Sequence, residues 1–213
     1  TKISKFVTNN KKTLAIRFPK QRLVRKLIKN LDYPLAAPSA NISTKLSSVK
    51  AADVKEEFGK KIKFVLDGGK CKIGIESTII NLTRKPEILR LGGLENSKIK
   101  KVLKKQLIIN INPSKKNAPG QSKLHYSPGI PLRMNALKSI KGEAYISLKR
   151  KNNKNKNIFY LSKNGNLSEA AKNLYSILRK VKKKGYKSIA IEKIINYGIG
   201  QSINDRLNRA SKK

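Results

Sequence analysis

The tract Asn112–Asn135 constrains this chain more than any other feature. It holds Pro113, Pro119, Gly120, Pro128, Gly129 and Pro131 and shows no hydrophobic periodicity. At more than twenty residues it exceeds ordinary loops, so it is expected to be either disordered or functional. A chain of 213 residues holds one ordinary domain or two small ones. The tract therefore predicts two units, residues 1–112 and 136–213, joined by a linker over 113–135.

Both units carry an α/β pattern. Before the linker, Thr13–Phe18 alternates as a strand does and ends at Pro19. Leu23, Leu27, Ile28 and Leu31 fall at helical spacing and predict a helix over Gln21–Leu31. Pro34–Ala37 is a short apolar strand running into the polar turn Pro38-Ser39-Ala40-Asn41. A helix over Val49–Phe58 stops at Gly59. Lys63–Leu66 predicts a strand that halts at Asp67-Gly68-Gly69. Ser77–Leu82 and Glu87–Leu91 predict two strands with Pro86 at their turn. A helix follows the cap candidate Asn96, and Leu107–Ile111 is a last apolar run.

After the linker come a strand at Ala144–Leu148, a Lys/Asn-rich loop or hairpin, and a strand at Ile158–Leu161. A long helix opens with Ser168 as N-cap and shows Ala171, Leu174, Tyr175 and Leu178 on one face. Ser188–Ile191 is a strand, and Ile203, Leu207 and Ala210 mark a final helix. This alternation predicts a small α/β domain with parallel pairing.

Charge narrows the function classes. Lys and Arg number 50 against 12 Asp and Glu, a formal net charge of +38. Such a balance suits RNA, because cations at phosphates release counterions. It equally suits plain solvation, since the cations are mostly Lys and spread over every segment. No apolar run reaches the roughly 18 residues of a membrane span, so no membrane partner is expected. One Cys, Cys71, and one His, His125, exclude an intramolecular disulfide and any centre built on several cysteines or two imidazoles. The chain starts at Thr1 without a signal-peptide pattern, which suggests processing or a fragment.

Three turn-like segments place small hydroxyl or amide residues where the chain leaves a strand: Pro38–Ser43, Gly74–Thr78 and Leu89–Gly93. Strand ends are where α/β proteins hold ligands. Arg90 beside two glycines could reach a phosphate. Taken singly, such Ser and Asn residues more often satisfy local backbone groups. No phosphate loop of the Walker type, no paired carboxylates on one helix face and no Ser–His or Cys–His nucleophile pair is present. His125-Tyr126-Ser127-Pro128 is unusual for a passive tether, and predicts a lid or an aromatic anchor.

The order of these segments resembles a known family. T-x-x-x-R (Thr13 to Arg17), P-S-A-N-x-S, L-D-G-G, G-x-x-S-T, I-L-R-x-G and A-P-G…H-Y-x-P together look like the YrdC/YwlC threonylcarbamoyl-AMP synthases. The tail segments Glu169–Arg179 and Gly198–Ala210 resemble the extra α/β domain of the long form. The resemblance implies the C-terminal part of a YrdC-like twisted mixed sheet with helices, then a long linker and a small Rossmann-like domain. It implies a reaction in which L-threonine and bicarbonate form a carbamate that attacks the α-phosphate of ATP. Pyrophosphate leaves and threonylcarbamoyl-adenylate remains, for transfer to tRNA by a partner transferase. The family match would give Arg17, Ser39 and Ser77 to threonine, and Thr13, Asn41, Arg90 and Tyr126 to ATP. It assigns no catalytic side chain and no metal ligand. Mg²⁺ would accompany the triphosphate. A cytoplasmic location is expected, with tRNA or double-stranded RNA as the nucleic-acid partner. The alternatives are a non-catalytic RNA-binding protein of the same fold and a regulatory α/β module.

The chain departs from the family pattern at three places. Thr44 stands where the family usually has Gly. Val49 stands where a hydroxyl usually faces ATP, unless Ser48 substitutes. The K-x-R motif expected far upstream is missing, and Lys20-Gln21-Arg22 reads as a coincidental helix start. The first domain is therefore expected to lack its N-terminal half, and the 213-residue chain is expected not to make the adenylate alone.

Overall fold

A computed structural model describes residues 3–8, 10–152 and 155–212. The first unit contains helices α1 (Lys5–Thr8), α2 (Arg22–Lys29), α3 (Ala51–Phe58) and α4 (Asn96–Leu103), and strands β1 (Ile79–Asn81), β2 (Glu87–Arg90) and β3 (Ile108–Ile109). These strands form a small mixed sheet in the order β1-β2-β3. The β1–β2 hairpin is antiparallel and β3 runs parallel to β2. Ile88, Leu91 and Ile99 pack α4 against it.

The second unit is a parallel sheet of order β4-β7-β5-β6, built from β4 (Leu132–Arg133), β5 (Glu143–Lys149), β6 (Ile158–Ser162) and β7 (Ser188–Ile191). All its pairings are parallel, as the strand–helix alternation predicts. Helices α5 (Leu167–Lys183) and α6 (Ile199–Ala210) cover it. The face predicted for α5 is the buried one: Ala171, Leu174, Tyr175 and Leu178 are all buried, with Ala170 and Val181 beside them. The mixed and parallel α/β architecture expected from the sequence is thus present.

Several local expectations fail. Thr13–Phe18, Pro34–Ala37 and Lys63–Leu66 do not form strands. Strand propensity expresses packing against cross-strand neighbours rather than an intrinsic backbone preference. Among the described residues none of these three segments has a ladder partner, and Phe18 and Phe64 stand 89% and 88% exposed. Asn166, not Ser168, caps α5; its side-chain oxygen accepts the Glu169 N–H at 2.9 Å. Asn96 opens α4 rather than capping it, because Glu95 occupies the cap position without a side-chain bond. The loop between β5 and β6 is not a hairpin, since the two strands are parallel. Leu132–Arg133, within the predicted linker, pairs with β7 as an edge strand.

The predicted linker is not a free tether. The Gln121 side chain donates to the Leu89 carbonyl at 2.8 Å and accepts from the N–H groups of Asn117 and Ala118. The Ser127 N–H donates to the Thr44 carbonyl at 2.8 Å. Leu46, Val49 and Tyr126 lie in the same apolar core as Leu174, Tyr175 and Leu178 of α5. One core therefore runs across the boundary between the units. Arg179 of α5 reinforces it, donating to the Leu46 carbonyl at 2.6 Å and pairing with Glu57 of α3.

Candidate functional site

Two of the segments that stand out in the sequence, Gly74–Thr78 and Leu89–Gly93, meet at one place. The backbone of Leu91-Gly92-Gly93 crosses directly over Glu76-Ser77-Thr78. A Cβ on Gly92 would lie 2.2 Å from the Thr78 nitrogen, so only glycine permits the crossing. The Gly93 N–H closes it on the Glu76 carbonyl at 3.0 Å. Gly74, at φ +83°, brings the front of the same segment against the backbone of Lys172 in α5. The crossing thus sits where the first sheet touches the second unit.

Arg90 is buried at the end of β2. Its Nε and Nη2 donate to the Ser77 carbonyl at 3.0 and 2.9 Å, and Nη1 reaches the Pro119 carbonyl at 3.4 Å. Nη2 also lies 3.3 Å from the Ser77 hydroxyl. The guanidinium therefore clamps the segment that carries Ser77. Burial lowers its pKa, and the like charges of Arg206 and Arg17 act in the same direction. Arg17 itself is exposed, as are Thr13, Ser39 and Ser77.

Asn41 turns inward on its loop. Its amide donates to the carbonyls of Ile42 and Lys45 at 2.9 and 3.2 Å. Its side-chain oxygen is buried and accepts no hydrogen bond among the described residues. Buried acceptors are rarely left so, and ligand sites are one of the exceptions. Ser48 donates to the Ala40 carbonyl at 2.7 Å, which ties the same turn down. Val49 is core, so the departure at that position serves packing. Thr44 has φ +68°, a left-handed conformation costly for a β-branched residue; this explains the glycine usual in the family pattern.

Tyr126 is 1% exposed and also left-handed, at φ +60°. Its ring lies 4.0 Å from that of His125 and stacks at 6.0 Å on Tyr175. Its hydroxyl is buried and has no hydrogen-bond partner among the described residues, and Gly120 leaves room for it. Burial lowers the His125 pKa, helped by Arg206, Arg209 and Arg90; its Nδ1 accepts the Tyr126 N–H at 2.9 Å, which fits a neutral ring.

The centre of the crossing is a carboxylate that motif reading does not single out. Glu76 accepts Arg206 Nε at 2.9 Å, the Tyr175 hydroxyl at 3.0 and 3.1 Å, and the Ser47 hydroxyl. Burial pushes its pKa up, but Arg206 and the Ser47 hydroxyl outweigh this, and it lies below the ordinary carboxylate value. No three carboxylate, imidazole or thiolate groups among the described residues are arranged to hold a metal ion. No residue here is assigned to Mg²⁺.

Comparison with known proteins agrees with the motif order. Residues 1–92 match the Sua5/YciO/YrdC family model, described as telomere recombination. Residues 94–212 match the model of the threonylcarbamoyl-AMP synthase C-terminal domain. This chain belongs to the threonylcarbamoyl-AMP synthase family. Relatives of that name include one from Pyrococcus abyssi, 33% identical over 233 residues, covering 98% of this chain and 67% of the relative. Another, from Schizosaccharomyces pombe, is 38% identical over 139 residues, or 59% of this chain and 33% of the relative. A third, from Bacillus subtilis, is 36% identical over 134 residues, or 61% and 39%. The fold superposes on the crystal structure of P. abyssi Sua5 complexed with L-threonine with a TM-score of 0.86 at 31% identity, covering 98% of this chain and 67% of that one. A His/Tyr-to-Ala double variant of the same protein gives 0.81 at 29% identity. These are nucleotidyltransferase-type enzymes, and the two-domain organisation is that of this chain. No helix among the described residues is long and apolar enough to cross a membrane.

Proposed function

We propose that the crossing of 74–78 under 90–93, with the Asn41 loop and Tyr126, is part of the substrate seat of a threonylcarbamoyl-AMP synthase. The likeness to a threonine-bound Sua5 over 98% of the chain carries this reading. L-Threonine would be held by Arg17, Ser39 and Ser77, with Ser77 fixed in place by Arg90. ATP would meet Thr13, Asn41, Arg90 and Tyr126. The unpartnered Asn41 oxygen is an acceptor available to a ligand N–H. In the reaction, a carbamate oxygen bonds to the α-phosphorus as the bond to the bridging oxygen of pyrophosphate breaks. The threonine nitrogen bonds to the bicarbonate carbon as a C–O bond breaks and water leaves, which gives the carbamate. No side-chain nucleophile is needed; alignment and charge stabilisation carry such a step. Mg²⁺ would enter with the triphosphate, on phosphate oxygens and water. The adenylate would pass to a tRNA threonylcarbamoyl transferase in the cytoplasm.

The test is threonine titration of the 213-residue chain by calorimetry, then pyrophosphate release with ATP, threonine and bicarbonate. Threonine binding that Asn41→Ala leaves intact, with ATP binding weakened by about 1–3 kcal/mol, supports the seat. Release dependent on all three substrates shows full synthesis by this chain. Threonine binding without release shows a seat that is not the whole synthase site. Absence of any threonine binding refutes the reading.

The net charge of +38 favours a second reading, RNA binding without catalysis. It predicts tRNA or double-stranded RNA affinity that falls steeply with salt and does not respond to nucleotide or threonine.

A further inference from the structure

We propose that Arg206 of α6 is a positioning residue for the candidate site, by which the C-terminal domain sets the relative placement of Ser77, Arg90 and Tyr126. The inference rests on the function proposed above for that site.

Arg206 is 1% exposed, and each of its nitrogens is directed to a different group. Nε donates to Glu76 at 2.9 Å, Nη1 to Asp205 at 2.7 Å and Nη2 to the Leu91 carbonyl at 2.6 Å. The guanidinium carbon lies 4.9 Å from the centre of the Tyr126 ring. Glu76 precedes Ser77, and Leu91 follows Arg90. The third contact is Tyr126 itself. One planar cation therefore touches all three segments at, or one residue away from, the proposed ligand contacts.

The rest of α6 works on the same surface. Ser202 donates to the Gly92 carbonyl at 2.8 Å. Arg209 donates to the carbonyls of Ser122 and Ile111 at 3.0 and 2.8 Å and to the Asn112 side chain at 3.0 Å, while Asp205 accepts from its Nε. Positions 202, 206 and 209 share one helix face. That face holds the strand end, the crossing segment and the linker.

Burial energy alone does not explain this arrangement. An apolar side chain of similar volume would often hold two units together as well as a buried ion pair, or better. What an apolar contact lacks is direction. A guanidinium fork fixes three acceptors in one plane at fixed angles. Of the interdomain contacts, those of Arg206 bear on the proposed ligand contacts, whereas Arg179 holds Leu46 and Glu57.

The experiment compares Arg206→Lys and Glu76→Gln with Arg179→Lys, which also weakens the interface. Two readouts are taken on the 213-residue chain: threonine affinity, and amide exchange at 74–78 and 90–93, each set against the urea midpoint. Lysine keeps the charge and loses the fork. We expect Arg206→Lys and Glu76→Gln each to weaken threonine binding by about tenfold or more, and to speed exchange at the crossing while β5 stays protected. The double variant should lose less than the sum of the two singles, because both disrupt the shared Arg206–Glu76 contact. Arg179→Lys should lower stability and change threonine affinity by less than about twofold. Wild-type affinity and exchange in both Arg206→Lys and Glu76→Gln overturn the proposal. So does an equal loss in Arg179→Lys. Should Arg206→Lys not fold, Glu76→Gln decides, since it preserves the shape of the contact. Should the wild-type chain not bind threonine, the proposed function fails, and selective loosening of the crossing still decides whether Arg206 positions it.

Discussion

Helices α2 and α5 have the same kind of sequence and opposite fates. Each carries an apolar stripe at helical spacing and a basic last turn. In α5 six residues are buried, in α2 none. No described residue before Leu46 is buried at all. Within α2, Gln21 caps the first turn by accepting the Val24 N–H at 2.8 Å, and Arg25 lies over the Phe18 ring. So local signals suffice to form the helix, whereas burial of its stripe depends on what stands opposite. Periodicity reports the face that an element offers, not whether anything takes it up.

The largest test of this contrast is a pair of truncations. Leu178→Ala should cost about 2–5 kcal/mol in urea unfolding, through lost transfer energy and the cavity left behind. Phe18→Ala, which removes a larger side chain, should stay within about 0.5 kcal/mol of wild type. Equal losses would mean that the first forty residues are packed in solution.

Gly92→Ala probes the seam between the regions. Its Cβ cannot fit at 2.2 Å from the Thr78 backbone, so the two strand ends must part. A loss of about 1–3 kcal/mol is expected, together with faster amide exchange at 76–78. An unchanged midpoint would show that the crossing is loose.

Acid should weaken the same seam. The Glu76 pKa is lower folded than unfolded, so its contribution is complete above about 4.5 and fades as pH falls through the folded value. The His125 pKa is also lowered, so the folded state disfavours its charged form and stability begins to fall below about 6.5. Thermal midpoints across that range should decline in both windows. Glu76→Gln should remove the acid-most part and His125→Gln the milder one.

The smallest effect is expected at Thr44. Thr44→Gly relieves the left-handed strain but makes the unfolded chain more flexible, leaving a gain of up to about 1 kcal/mol. A loss would mean that the Thr44 side chain contributes more than its backbone strain costs.

Legibility followed the same divide. Ser188–Ile191 coincides with the observed strand, and the buried face of α5 was evident from Leu174 and Leu178, because both sides of that interface lie within the chain. Thr13–Phe18 and Lys63–Leu66 have strand-like patterns and no strand, because a ladder needs a second chain segment. At the site, Ser77, Asn41 and Arg90 were visible as turn residues. Glu76 and Arg206 were not, since a pairing across 130 residues leaves no local trace. A faint signal existed: with 12 carboxylates among 50 cations, an acid inside a segment of small residues is conspicuous.

The contact between Leu46 and Arg179 spans 133 positions, and it closes a core that both units share. During synthesis the chain emerges from its N-terminal side at about 5–20 residues per second. Leu46 and Val49 therefore wait roughly 7 to 27 seconds for the helix that covers them. For that interval the nascent chain shows the ribosome and its attendant chaperones an apolar surface that the finished molecule hides.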